Sequence, residues 1–221
     1  MSSATRTEVR GGSPRSRPRR SRLRLALRLL GVACLAGALA VGGYLAWQLW
    51  GTGLATTRAQ EDLRPGFERL VEDPRPVPST PKAVRGARVR LPGEAVAILQ
   101  IPRIDLDIVV VEGTETEDLK KGPGHYTETD MPWEDTGRVG IAGHRTTYGQ
   151  PFWSLNELRP GDRITLLTEF GRFDYRVTRS EVILPSEGWV LESTKRPTLV
   201  LTTCEPRFSA SHRLVVFADL E

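Results

Sequence analysis

Along the 221-residue chain the apolar positions form one long unbroken run and then, after a polar gap, a series of short ones. The long run, residues 29–50 (LLGVACLAGALAVGGYLAWQLW), has no charged side chain and a single amide, Gln48. At about 1.5 Å per residue it makes about 33 Å of helix, enough to cross a hydrocarbon core of about 30 Å. Tyr44, Trp47 and Trp50 gather at its C-terminal end, where aromatic side chains settle at a membrane interface. A cleaved signal peptide shares the basic head and apolar stretch, but its apolar core is usually about 7–15 residues long. The expectation is therefore an uncleaved transmembrane helix over 29–50.

From Gly93 onward the apolar runs are short and rich in β-branched residues: AVAILQIP (95–102), IDLDIVVVEG (104–113), RVGIAG (138–143), DRITLLT (162–168), FDYRVTRSEVILP (173–185), PTLVLTTC (197–204) and RLVVFADL (213–220). Several alternate at period two, with Gly, Pro, Asp or Asn in the gaps, which predicts strands. Helical spacing is confined to 116–122 and 152–159, the second closed by Pro160-Gly161. The pattern predicts a mostly β domain over 93–221, a small barrel or sandwich with short helices. Residues 51–92 hold six prolines with DPRPVPSTPK at the centre. That composition predicts an extended, Pro-rich extracytoplasmic stalk with a short helix near 57–71. An N-terminal extension packed on the domain is the competing reading.

Charge sharpens the topology. The chain carries a formal +4, yet residues 1–28 hold nine arginines against one acid, while 93–221 hold 14 basic and 21 acidic groups. The positive-inside rule keeps the basic tail, 1–28, in the cytoplasm and places the C-terminal domain outside the cell. An acidic domain offers no basic stripe for a phosphate backbone, so nucleic acid is excluded as a partner. At 221 residues a multidomain enzyme with a nucleotide-binding half is also excluded.

Of two cysteines, Cys34 lies in the apolar run and Cys204 stands alone in the exported domain, so no disulfide forms within that domain. A lone exported thiol is a liability unless buried or given a task. Cys204 ends the run TLVLTTC ahead of Glu205-Pro206, and nine residues later Arg213 opens another strand. A hairpin-like return would set Arg213 beside Cys204, where its guanidinium would stabilise a thiolate or an oxyanion. A cysteine nucleophile needs a proton-transfer partner, and the chain has His125, His144 and His212. His144, in IAGHRTTYG at a strand-to-loop junction, ranks first, and His125, in GPGHY, second. His212 ranks last, because in a strand it faces away from Arg213.

IAGHR (141–145), LTTCEP (201–206) and RLVV (213–216), in this order behind an anchor and stalk, resemble the signature of sortases, the membrane-anchored cysteine transpeptidases. ILQIPRIDLDIVVVEG, GPGHY and PFWSLNELRPGDRITL extend the likeness over about 93–220, and the form of LTTC with GPGHY is similar to the actinobacterial class E members. The resemblance implies an eight-stranded β-barrel with Cys204 as nucleophile, His144 as general acid and then base, and Arg213 as stabiliser of substrate or oxyanion. Thr203, His125 and Tyr126 are candidate substrate-binding residues. The implied partners are secreted proteins bearing LPXTG- or LAXTG-type sorting signals, cut between Thr and Gly through a thioester. The acceptor is an amine of cell-wall precursor or a pilin lysine.

One departure is Val200, where the family often has threonine; its distance from the chemistry predicts an effect on packing or pocket shape. No cofactor and no metal are assigned, since Glu112, Glu115, Glu117 and Asp118 lack an EF-hand-like spacing and read as a solvated face. Two other functions compete. An L,D-transpeptidase would carry Ser-His-Gly before its cysteine, where this chain has Leu201, Thr202 and Thr203. A non-enzymatic surface or pilus scaffold would be indifferent to loss of Cys204.

Overall fold

The computed structural model describes residues 19–47, 51–79, 86–87 and 93–221, in two compact units, Met1–Tyr44 and Leu45–Glu221. Helix α1 spans Arg19–Ala46. It begins before the apolar run because the preceding Arg, Leu and Ala residues are good helix formers with no breaker among them. Its segment Leu23–Ala46, 24 residues, is the one helix among the described residues long and apolar enough to cross a membrane. Residues 48–50, with Trp50, and the tail 1–18 lie outside the described residues.

The short helix expected near 57–71 is present and longer, α2 (Gly53–Glu72), and it packs on the barrel, as the competing reading of 51–92 has it. Leu63, Phe67, Leu70 and Val71, at helical spacing, press against Ile98 and Val109 of the barrel wall. Gln60 makes a two-way amide bond with the strand it crosses: its Nε2 donates to Val109 O at 3.0 Å, and Val109 N donates to its Oε1 at 2.7 Å. Arg64 pairs with Asp107 alongside. The proline count misleads because it averages two segments: α2 contains Pro65 alone, while Pro74, Pro76 and Pro78 follow it. Residues 74–79 have no regular structure, and Arg75 N donates to Glu169 O at 2.7 Å. Pro81 and Pro92 lie outside the described residues.

The rest is a closed barrel of β1 (Ala95–Ile101), β2 (Leu106–Glu112), β3 (Gly124–His125), β4 (Arg138–Ala142), β5 (Arg163–Thr168), β6 (Gly171–Ile183), β7 (Thr198–Glu205) and β8 (His212–Leu220). Their order around the barrel is β1-β2-β3-β4-β7-β8-β6-β5. Two pairings, β2 with β3 and β4 with β7, are parallel; the others are antiparallel. All seven predicted runs are strands, and the eighth, β3, is two residues long, too short for any periodicity to mark it. The predicted helix at 116–122 shortens to α3 (Thr116–Leu119). That at 152–159 becomes a 3-10 turn, Leu155–Glu157, where Phe152 and Leu155 drop fully buried into the barrel mouth.

The interior is filled by Leu99, Ile101, Ile164, Leu166, Leu199 and Leu201, with Tyr175 among them. The Tyr175 hydroxyl is buried with no hydrogen-bond partner among the described residues, and burial pushes its phenol far above the usual range. An unsatisfied buried hydroxyl costs about 1–3 kcal/mol. Tyr175→Phe, measured by urea denaturation, is expected to leave stability unchanged or raise it by up to about 2 kcal/mol. A loss in that variant would show that the hydroxyl is bonded.

Candidate active site

Strand alternation divides β7 and β8 into an inner and an outer face. Leu199, Leu201, Leu214 and Val216 enter the interior, while Val200, Val215 and Phe217 pack outside with Ile183 and Val190. By the same parity Cys204 and Arg213 belong to the outer face. They are direct partners in the β7–β8 ladder, so their β-carbons stand about 5 Å apart on the same side. Arg213 Nη1 donates to Ala210 O at 3.1 Å and His212 O at 3.0 Å, which turns the guanidinium with the β7–β8 loop.

His144 reaches this face through β4. The parallel register sets Ile141 against Leu201 and Ala142 against Thr202, so the chain leaves β4 beside the end of β7. Four bonds then hold its path. Gly143 N donates to Thr202 O at 3.0 Å, Thr203 Oγ1 donates to Gly143 O at 2.7 Å, Phe152 N donates to His144 O at 3.1 Å, and Arg145 Nη1 donates to Cys204 O at 3.1 Å. Gly143 is required: a β-carbon there would lie 2.5 Å from the Phe152 ring. The His144 ring stands 4.9 Å from the Tyr148 ring, and its Nε2 is buried with no partner among the described residues. Burial holds the imidazole below its ordinary pKa.

Cys204, His144 and Arg213 border one cleft of about 260 Å³, with Tyr126, Thr202 and Thr203 on its wall. Tyr126 lies over Gly140 and shares a hydrogen bond with Thr202 Oγ1 at 2.9 Å; burial raises its phenol pKa. Thr203 borders the cleft, but its side chain is 3% exposed and its hydroxyl is committed to Gly143 O. That bond makes its hydroxyl a tether for the His144 loop. His125 lies apart from the cleft. It is 2% exposed, with Nδ1 3.0 Å from Glu112 Oε2 and Nε2 3.2 Å from Asp130 O, so its ring braces β2 against the loop after β3 and does not border the cleft. Glu112 thereby leaves the solvated acidic face predicted for it. His212 turns to Ser211, 3.0 Å from its Oγ. Val200 is fully buried in the outer cluster, the packing position predicted for it.

Arg145 is the residue that the motifs contained without revealing. Only 4% exposed, it pairs with Glu205 and donates to Cys204 O, to Trp153 O at 3.3 Å and to Asn156 Oδ1 at 2.9 Å. One guanidinium thus ties the residue after His144 to the residues at the end of β7. The signal was an arginine directly after the candidate histidine and a glutamate directly after the candidate cysteine, opposite charges in matching places. Arg145→Met is expected to destabilise the fold by about 3 kcal/mol, because it breaks a largely buried ion pair with Glu205 and removes the side-chain donor to Cys204 O; thermal or urea denaturation measures this.

An imidazole whose folded pKa lies below its unfolded value, about 6.5, contributes its stability above that value and loses it as pH falls through it. The melting temperature of the wild type is therefore expected to fall more steeply than that of His144→Gln between about pH 7.5 and about pH 5. Equal slopes would show that His144 titrates alike in both states.

Comparison with known proteins places this arrangement in a family. The model of the sortase domain matches residues 99–221. Sortase D of Bacillus subtilis is 30% identical over 174 residues, 78% of this chain and 86% of that protein. Sortase SrtE1 of Streptomyces coelicolor is 31% identical over 192 residues, 80% of this chain and 52% of that protein. Among solved structures, sortase E from Streptomyces avermitilis superposes with a TM-score of 0.54 at 38% identity, covering 60% of this chain and 91% of that one.

Proposed function

The chain belongs to the sortase family of cysteine transpeptidases, and on that premise we propose that Cys204, His144 and Arg213 carry its reaction on a C-terminal sorting signal of the LPXTG or LAXTG type. The observation that carries this reading is the convergence of the three side chains, from β7, the loop after β4 and β8, on one outer cleft. In it, Cys204 Sγ attacks the carbonyl carbon of the threonine in the signal, and the resulting oxyanion lies toward the Arg213 guanidinium. Protonated His144 gives its proton to the departing glycine nitrogen, leaving a thioester on Cys204. An incoming amine attacks the thioester and loses a proton to His144, and the sulfur leaves as the thiolate beside the imidazolium, the pair from which the cycle began. That amine belongs to cell-wall precursor or to a pilin lysine.

The unpartnered Nε2 of His144 supports the assignment, since a buried nitrogen without a bond is available to a reacting group. Because burial lowers the imidazole's pKa, the imidazolium form is a minority at neutral pH. The reaction is therefore slow, and its pH profile is a bell. Helix α1 serves as a single-pass anchor, with the arginine-rich tail inside and the barrel outside. The likeness to SrtE1 of Streptomyces coelicolor and to the Streptomyces avermitilis structure favours class E and a signal with alanine in the second place.

The experiment is cleavage of fluorogenic LAXTG and LPXTG peptides by the full chain in detergent, with and without an added amine. The wild type is expected to cleave and, with amine, to ligate. Cys204→Ala is expected to lose both by at least about a thousandfold, the scale of losing a nucleophile. Turnover that survives in Cys204→Ala would remove Cys204 from the mechanism.

A further inference from the structure

The loop that carries His144 contains an unusual corner. Tyr148, Gly149 and Gln150 take φ values of 51°, 74° and 52°, three successive left-handed residues, two of them with side chains. Such backbone costs about 1–2 kcal/mol per non-glycine residue and persists only where its surroundings impose it. Here the surroundings are the first turn of α2. Tyr148 N donates to Thr52 Oγ1 at 3.1 Å. Gly149 packs on Thr56: a β-carbon on it would sit 3.4 Å from Thr56 Cγ2, and one on Gly53 would sit 3.6 Å from Gly149 N. Thr56 Oγ1 in turn donates to Lys120 O at 2.7 Å, and the Lys120 ammonium lies 6.0 Å from the centre of the Tyr148 ring.

Thr52 occupies the N-cap position of α2, where a threonine hydroxyl ordinarily accepts a bond from the helix's own amides. It makes no such cap. The hydroxyl is turned to the His144 loop instead, and both Thr52 and Thr56 are buried, at 8% and 4% exposed. From this corner the Tyr148 ring meets the His144 ring at 4.9 Å.

We propose that the first turn of α2 is a positioning element for His144, with Thr52 and Thr56 fixing the Tyr148–Gly149 corner and thereby the place and burial of the imidazole. The chain that follows α1 directly, six residues beyond Ala46, is on this account part of the active-site scaffold. The importance of His144 rests on the sortase reading above; the strut itself does not.

Burial is what holds His144 below its ordinary pKa, so a loosened corner has a readable consequence. The titratable and charged groups around the imidazole are Cys204, Arg213 and Tyr126 in the same cleft, Tyr148 and Lys120 on the corner side, and the Arg145–Glu205 pair. None of them is altered by substitution at Thr52.

The test uses the full chain in detergent micelles, with the imidazoles followed by proton–carbon NMR and His144 assigned by comparison with His144→Gln. In Thr52→Val, which keeps the shape and removes the acceptor, the His144 pKa is expected to rise toward about 6.5. The kcat for peptide cleavage is expected to fall about 5–10-fold with KM little changed, as a misplaced proton-transfer group predicts. Thr52→Ser retains the acceptor and is expected to restore both. Leu70→Ala loosens α2 at its far end, away from the corner, and is expected to lower the melting temperature without moving the His144 titration. An unchanged titration in Thr52→Val, or an equal shift in Leu70→Ala, overturns the strut. Absence of cleavage by the wild type counts against the proposed function, and the titration then decides the strut alone.

Discussion

The parallel pairing of β4 with β7 is the constraint on which the rest of the site depends. Five residue pairs, from Arg138 with Thr198 to Ala142 with Thr202, bring two motifs about sixty residues apart into one sheet. A parallel pair cannot be closed by a tight turn, so the intervening chain must go round the barrel through β5 and β6 before it returns. What the long route yields is orientation: β4 and β7 point the same way, and IAGHR and LTTC end at the same rim. An antiparallel pairing would have placed His144 and Cys204 at opposite ends of the barrel. The antiparallel β7–β8 pair then returns Arg213 to that rim opposite Cys204.

Each residue near the rim is sorted by parity into chemistry or support. On β7, Val200, Thr202 and Cys204 share the outer face, while Leu199, Leu201 and Thr203 face inward. Thr203 and Cys204 are neighbours in sequence but do different work: one binds the carbonyl of Gly143 beneath the site, the other presents sulfur to the cleft. Val200 departs from the usual threonine without disturbing the rim because it lies four residues down the same face, under Ile183, Val190 and Phe217.

The barrel strands were legible because seven of them are long enough for hydrophobic pattern to show. β3 was not, being two residues held by its neighbours on both sides. A helix near 57–71 was legible, but its packing on the barrel was obscured by counting prolines over a window that joined it to a different segment. A clue lay elsewhere in the sequence: AVAILQI and the IVVV of β2 are almost continuously apolar, as strands covered on both faces are. Ile98 and Val109, on the outward side of that wall, are the residues α2 covers. That Cys204, His144 and Arg213 border one cleft was foreshadowed by residue type and motif, whereas nothing in GPGHY showed that His125, ranked behind His144, lies apart from it. Its distinction is burial against Glu112, a contact between residues thirteen apart that no local pattern encodes.

The two arginines nearest Cys204 and His144, Arg145 and Arg213, differ in how their charge is met. Arg145 is buried and its charge is matched by Glu205, with its remaining donors taken by Cys204 O, Trp153 O and Asn156. Among the described residues Arg213 makes no ion pair; its recorded bonds are to the neutral carbonyls of Ala210 and His212. A carbonyl partner orients a guanidinium without cancelling its charge, whereas a carboxylate partner does both. The cleft therefore keeps one uncompensated cation, on the strand facing Cys204, in surroundings that exclude enough water to depress His144. On the proposed mechanism, negative charge developing next to the sulfur is favoured at that point, and the same burial makes the imidazolium that protonates the leaving nitrogen a minority form.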